Sequence, residues 1–260
     1  MSRRHLSFAC EGETLIGTLD EGAASSGLLI VSGGNELRSG AFAGQARFAA
    51  RLAAQGFPVF RFDRRGLGDS SGENDGFRGS REDILAALAA FRSECPQVQR
   101  VVAFGNCDAA SALMLMRGDM CDALVLSNPW TYDDDTGGQD LPPPDAIRAR
   151  YASRLRDPAQ VLRLLRGGVN ISSLFRGLKA SLARSKPAGT LYAEIAEGLD
   201  AATKPYVILI ADNDRTGQEF VARWDGTNGE VRRCAGASHA YVEPHARKWL
   251  EAQLLEMLRG

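Results

Sequence analysis

Gly105-Asn106-Cys107-Asp108-Ala109 follows the apolar run Arg100-Val101-Val102-Ala103-Phe104 and opens the helix-patterned stretch Ala109-Ala110-Ser111-Ala112-Leu113-Met114-Leu115-Met116. A strand, a turn of small residues and a helix in immediate succession put Cys107 at a sharp corner, with its side chain exposed and a helix N-terminus beneath it. That is the layout of a nucleophile elbow, with G-x-C-x-A where the familiar pattern is G-x-S-x-G. A free cysteine also packs readily as a small buried hydrophobe, so these five residues alone leave both readings open.

The 260 residues suffice for one α/β domain with an insertion. Basic and acidic residues balance at 31 against 32, which leaves no field to recruit nucleic acid or an anionic membrane. The N-terminus holds Arg3 and Arg4 but no apolar h-region, and no window reaches the roughly 18 apolar residues of a membrane span. A cytoplasmic protein is expected. The five cysteines (Cys10, Cys95, Cys107, Cys121, Cys234) are odd in number and lack C-x-x-C spacing, so neither a disulfide framework nor a metal site is indicated. Only His5, His239 and His245 are available as a base. Nothing calls for a cofactor, and a homodimer stays open.

Outward from the elbow, the chain alternates strand and helix signals. Residues 4–9 and 14–19 read as a hairpin across Glu11-Gly12-Glu13. Gly27-Leu28-Leu29-Ile30-Val31 reads as a buried parallel strand ending at Ser32-Gly33-Gly34-Asn35, where glycines can aim backbone N–H groups into a site or simply turn the chain. Residues 42–55 carry helical spacing, and Phe57–Phe62 is a second buried strand. It runs into the Gly-rich loop Asp63-Arg64-Arg65-Gly66-Leu67-Gly68-Asp69-Ser70-Ser71-Gly72. Ser80-Arg81-Glu82-Asp83 reads as a capping box opening a helix over 81–94. Further strands are expected at 121–127, 205–210 and 230–234, with an amphipathic helix at the C-terminus. Residues 131–203 break the rhythm, with Asp133-Asp134-Asp135, Pro142-Pro143-Pro144 and then basic helical patterns. We read them as a helical cap inserted between a core of 1–130 and 204–260. Its basic residues suit an anionic substrate or partner, or are the solvated faces of helices. The fold class is α/β, a mostly parallel doubly wound sheet.

Cys107, Asp214 and His239 then fall at the C-terminal ends of expected strands, the edge where open α/β sheets bind ligands. A thiol of pKa about 8.5 is mostly unreactive at neutral pH. An imidazole can take its proton, a carboxylate can fix the imidazole tautomer, and backbone N–H groups can hold an oxyanion. The N–H of Asp108 is available, and Gly34-Asn35 sits where a second donor belongs.

The order nucleophile, acid, base resembles the α/β-hydrolase superfamily, over essentially the whole chain. The Arg61–Ser70 stretch is similar to that superfamily's loop before the helix preceding the elbow. Gly33–Gly40, this loop and Gly105–Ala112 together resemble the hydrolases associated with the exosortase A system, encoded beside bacterial exopolysaccharide genes. The resemblance implies Cys107 as nucleophile, His239 as base, Asp214 as acid, and the N–H groups of Asn35 and Asp108 as oxyanion hole. It favours Asp214 over Asp212, because family members place the acid three residues beyond a small residue ending the strand, here Ala211. Gly34 and Arg38 would contact substrate, Arg38 by orienting a carboxylate or phosphate unless it is spent in a structural salt bridge. His245 reads as a surface or capping residue. Two departures are Cys107 for serine and Ala109 for the elbow's second glycine. A cysteine directs expectation toward a small-molecule activated ester or thioester cleaved through an acyl-enzyme. An acyltransferase with the same triad and a catalytically silent binding or scaffold protein are the alternatives.

Overall fold

The structure, a computed structural model, describes residues 2–118, 120–132, 190–224 and 229–260. One eight-stranded sheet organises them, in the order β1-β2-β4-β3-β5-β6-β7-β8. The strands are β1 Arg3–Cys10, β2 Glu13–Asp20, β3 Ser26–Val31, β4 Val59–Phe62, β5 Arg100–Asn106, β6 Ala123–Ser127, β7 Tyr206–Ala211 and β8 Glu230–Cys234. β1 and β2 form the expected hairpin, and β2 pairs antiparallel with β4. Every later neighbour pair is parallel. The hairpin turn works because Glu11 and Gly12 both take positive φ, 50° and 87°, matching the twist of the two strands.

β3 and β6 are buried along their whole length, as parallel strands covered by helices on both faces should be. Helices α1 (Gly44–Ala54) and α6 (Pro244–Arg259) cover one face, where Phe48, Leu52, Leu250 and Leu254 meet Leu28, Ile30, Val102 and Phe104. Helices α2 (Arg81–Glu94), α3 (Asp108–Leu115), α4 (Thr190–Asp200) and α5 (Arg215–Arg223) supply the other, with Ile84, Phe91, Leu113, Ile195 and Phe220 against Leu29, Val31 and Ala103. No helix among the described residues is long and apolar enough to cross a membrane.

Three details differ from the sequence reading. The helix expected over 42–55 starts only at Gly44, because Phe42 and Ala43 adopt left-handed φ of 51° and 56° and stop it from running back. Ser80–Asp83 is not a capping box. The Ser80 hydroxyl donates to the Phe77 carbonyl, while Asp83 is fully buried and accepts from the Arg65 backbone and guanidinium. The helix start is thus used to pin the Gly-rich loop. Finally, α4 lies within the segment expected as cap, yet Leu191, Ile195 and Leu199 are buried in the core and Gly198 crosses α3 so closely that a Cβ there would collide with the Met114 carbonyl oxygen. Residues 133–189, the remainder of that expected cap with most of its basic residues, lie outside the described residues.

Candidate active site

β5 ends at Asn106 and α3 begins at Asp108, leaving Cys107 alone at the corner with φ 64° and ψ −130°. Such values are rare for any residue with a Cβ and persist only where the surroundings impose them. Here the Cys107 N–H donates to the Ser127 carbonyl at 2.9 Å, and its own carbonyl accepts from Ala110, Ser111 and Trp130. Close packing of helix on strand is permitted by Gly105, where a Cβ would meet Ala109 backbone at 2.7 Å. Ala109 itself is fully buried and fits where the usual elbow has glycine. Cys107 is partly exposed, whereas Cys10, Cys95, Cys121 and Cys234 are buried. Burial pushes those four thiols up, Cys121 to about 12.

His239 lies on the loop between β8 and α6, with its ring half-buried. Its Nδ1 is 2.9 Å from Asp214 Oδ1, and the ring is within hydrogen-bonding reach of the Cys107 side chain. Burial disfavours the imidazolium most, but hydrogen bonds to Asp214 and Cys107 and their charges outweigh it and raise the pKa to about 10. Asp214 caps α5, its Oδ2 accepting the Gly217 N–H at 2.9 Å, and is 6% exposed, which leaves Oδ1 for the histidine. Asp212 is turned away and pairs with Arg233 at 2.8 Å. His245 is exposed on α6, with Nε2 3.0 Å from the Ala235 oxygen.

The loop after β3 packs onto the elbow. A Cβ on Gly33 would lie 2.5 Å from the Asn106 oxygen and 3.4 Å from the Cys107 Cβ. Gly34 takes φ 55° and donates its N–H to Asp108 Oδ1 at 2.6 Å, so it serves the loop rather than a ligand. The backbone N–H groups of Asn35 and Asp108 donate to no other described residue. Arg38 is spent: Nη1 pairs with Asp63, Nη2 with Asp69 at 2.9 Å, and Nε with Thr18 at 3.1 Å. The structural salt bridge therefore replaces the expected substrate contact.

Four contributors escaped the sequence reading. Asn128, fully buried at φ 43°, accepts from the Ala211 N–H at 2.8 Å and donates to Asn106 Oδ1 at 3.0 Å and Ser127 Oγ at 3.2 Å. Asn106 in turn donates to the His239 carbonyl at 3.2 Å. Tyr241 completes this buried network at Ser127 Oγ, 2.8 Å away, and burial raises its pKa. Asn128 directly after a strand and before Pro129 was the available signal, since asparagine tolerates positive φ best among residues with a Cβ. The fourth is Arg64, 2% exposed, whose Nη2 donates to the Gly34 carbonyl and lies 3.8 Å from Asp108 Oδ2. Its Nε and Nη1 are buried without a partner among the described residues. Among the described residues no group of three or more His, Cys, Asp or Glu is placed to hold a metal.

A doubly wound sheet of this strand order, with a thiol, an imidazole and a carboxylate gathered at its carboxyl edge, has the architecture of the α/β hydrolases. The chain belongs to the Alpha/beta hydrolase family, whose model matches residues 28–252. None of the curated proteins matches it significantly. Solved structures share the fold at low identity. The Pyrococcus furiosus esterase Pf2001 is 16% identical with a TM-score of 0.64, covering 99% of this chain and 92% of that one. The α/β hydrolase GrgF from Penicillium sp. sh18 is 18% identical with a TM-score of 0.66, covering 100% and 99%. Est1E from Butyrivibrio proteoclasticus, solved with ferulic acid, is 16% identical with a TM-score of 0.62, covering 98% and 100%.

Proposed function

We propose that the protein is a cysteine-dependent hydrolase that cleaves a small-molecule ester or thioester through an acyl-enzyme on Cys107. One observation carries this reading: the Asp214–His239 pair at 2.9 Å, with the ring in reach of a thiol held at strained positive φ. His239 takes the Cys107 proton, and the sulfur attacks the substrate carbonyl carbon. The N–H groups of Asn35 and Asp108 receive the negative oxygen. The imidazolium then protonates the departing alkoxide or thiolate as the carbon–leaving-group bond breaks, leaving a thioester on Cys107. Water, deprotonated by His239, attacks that thioester and releases the acid and the free thiol. Asp214 holds the ring in the required tautomer and stabilises its charged form. The loops resembling exosortase A system-associated hydrolases support a cytoplasmic role in bacterial exopolysaccharide metabolism.

The test is hydrolysis of p-nitrophenyl acetate and of a short acyl thioester by the wild type, Cys107→Ala and His239→Ala, beside stoichiometric labelling by iodoacetamide. Turnover should vanish in both variants, and labelling at Cys107 should slow sharply in His239→Ala. Turnover that survives Cys107→Ala would sink the reading.

A further inference from the structure

A cavity of about 280 Å³ opens beside the reaction centre on the sheet face covered by α1 and α6. Its walls are the apolar side chains of Ile30, Phe48, Phe104 and Leu250. Asn106 and Ala240 also line it, and these are the chain neighbours of Cys107 and His239. The cavity therefore opens next to the two chain segments that carry the reacting side chains. A second depression, near Leu85, Met120 and Asp122, lies at the opposite edge of the sheet, before the start of β6, and holds none of the candidate active-site residues.

The charges on the cavity are not balanced. Glu36 lines it, but its two oxygens already accept the Ala41 N–H and the Gln45 side-chain amide. Arg51 is neutralised by Glu251 at 2.7 Å. Arg47 and Arg247, both exposed at the rim, have no carboxylate partner among the described residues, Arg47 donating only to the Phe42 carbonyl. An apolar cleft whose outer end carries two guanidinium groups with no carboxylate partner among the described residues suits a chain that is apolar along its length and anionic at its tip.

Backbone strain marks the same place. Among the described residues seven other than glycine take positive φ, and three of them, Phe42, Ala43 and Tyr241, are on or beside this cavity. Backbone strain of this kind persists where the surroundings impose it, and it clusters at functional sites. Phe42 is 91% exposed, an aromatic ring held in water at the mouth of the cleft.

We infer that this cavity receives the acyl part of the substrate, and that this acyl chain ends in a carboxylate held by Arg47 and Arg247. The inference rests on Cys107 as nucleophile. At roughly 30 Å³ per water-sized group, the volume takes about nine such groups, which fits a six-carbon chain with a terminal carboxylate. Arg47 and Arg247 are then specificity-determining residues, outside the bond-making steps.

Binding tests this apart from turnover. Adipamic acid carries an amide at one end of six carbons and a carboxylate at the other, and hexanamide is its neutral counterpart. Calorimetry on the wild type should show adipamate binding at least tenfold tighter than hexanamide. Arg47→Gln with Arg247→Gln should abolish that preference and leave hexanamide affinity within about twofold. Equal affinities in the wild type, a preference that survives in the double variant, or binding of neither compound overturns the inference. Loss of Cys107-dependent hydrolysis is a separate result: turnover untouched in Cys107→Ala removes the nucleophile, whatever calorimetry reports.

Discussion

The side-chain amide of Asn106 donates to the backbone oxygen of His239 at 3.2 Å. The residue preceding Cys107 thus holds the loop that carries the base, 133 positions further along the chain. Asn128 steadies Asn106 from below and ties the same cluster to the end of β7. Nucleophile and base are connected through three strand ends as well as through their own side chains.

Removing either amide should separate two effects. Asn128→Ala leaves the Ala211 N–H buried without an acceptor and places alanine at positive φ, so urea denaturation should show a loss of about 2–4 kcal/mol. Asn106→Ala leaves the half-buried His239 carbonyl only its longer hydrogen bond from Asn128, at 3.5 Å, and should cost less stability. It should instead lower kcat several-fold at nearly unchanged KM, read with p-nitrophenyl acetate. Equal loss of stability in both variants with kcat untouched would leave Asn106 a purely structural residue.

Asp214→Asn keeps the cap on α5, because an amide oxygen can still accept the Gly217 N–H. It removes the charge that favours the imidazolium. The wild-type kcat/KM should fall on the alkaline side near pH 10, as His239 loses the proton required by the leaving group. In Asp214→Asn that limb should move toward the ordinary histidine value, and kcat should drop by about 10²–10⁴. Stability follows the same sign. The raised pKa contributes stability that is complete below pH 6.5 and lost as pH rises through about 10. Melting temperatures measured across that window should fall in the wild type and stay flatter in Asp214→Asn.

Cys107 sits at φ 64° and ψ −130°, a conformation glycine adopts freely. Cys107→Gly should therefore be more stable than Cys107→Ala by about 1 kcal/mol or more, although both lack the nucleophile. A tie in chemical denaturation would mean that the corner stores no strain. Gly105→Ala acts in the opposite direction: its Cβ would meet the Ala109 backbone at 2.7 Å, and overpacking there should cost about 1–3 kcal/mol.

What could be read in the sequence was local. Arg100–Phe104 followed by small residues and a helical pattern marks the elbow, because a buried strand and a close helix each constrain composition at short range. His239 stood out because the chain has only three histidines. Asp212 and Asp214 could not be told apart by spacing alone, since the choice depends on the first turn of α5, where the Gly217 N–H fixes one carboxylate and Arg233 draws off the other. Asn106, Asn128 and Tyr241 make contacts 22 to 133 positions apart and leave no periodic trace. Asp83 was misread for a related reason: a helix-start pattern looks the same whether its carboxylate caps the helix or reaches a distant arginine.

Arg64 offers the sharpest separation of stability from activity. Its guanidinium is 2% exposed, with Nε and Nη1 unpartnered among the described residues, and burial pulls its pKa down against the charges of Asp108, Asp83 and Cys107. A buried charge so incompletely paired stabilises little, and replacing it by an apolar side chain of similar length is often neutral or favourable by about 1–4 kcal/mol. Its contribution is geometric. By holding the Gly34 carbonyl, it fixes the Gly34–Asn35 peptide plane, and with it the direction of the Asn35 N–H. Arg64→Met should accordingly unfold at the same or higher urea concentration than the wild type. Its kcat should fall about tenfold or more as the oxyanion donor loses its fixed aim, with iodoacetamide still labelling Cys107. A variant both less stable and fully active would reverse the assignment, making Arg64 a structural ion-pair residue with no part in the oxyanion turn.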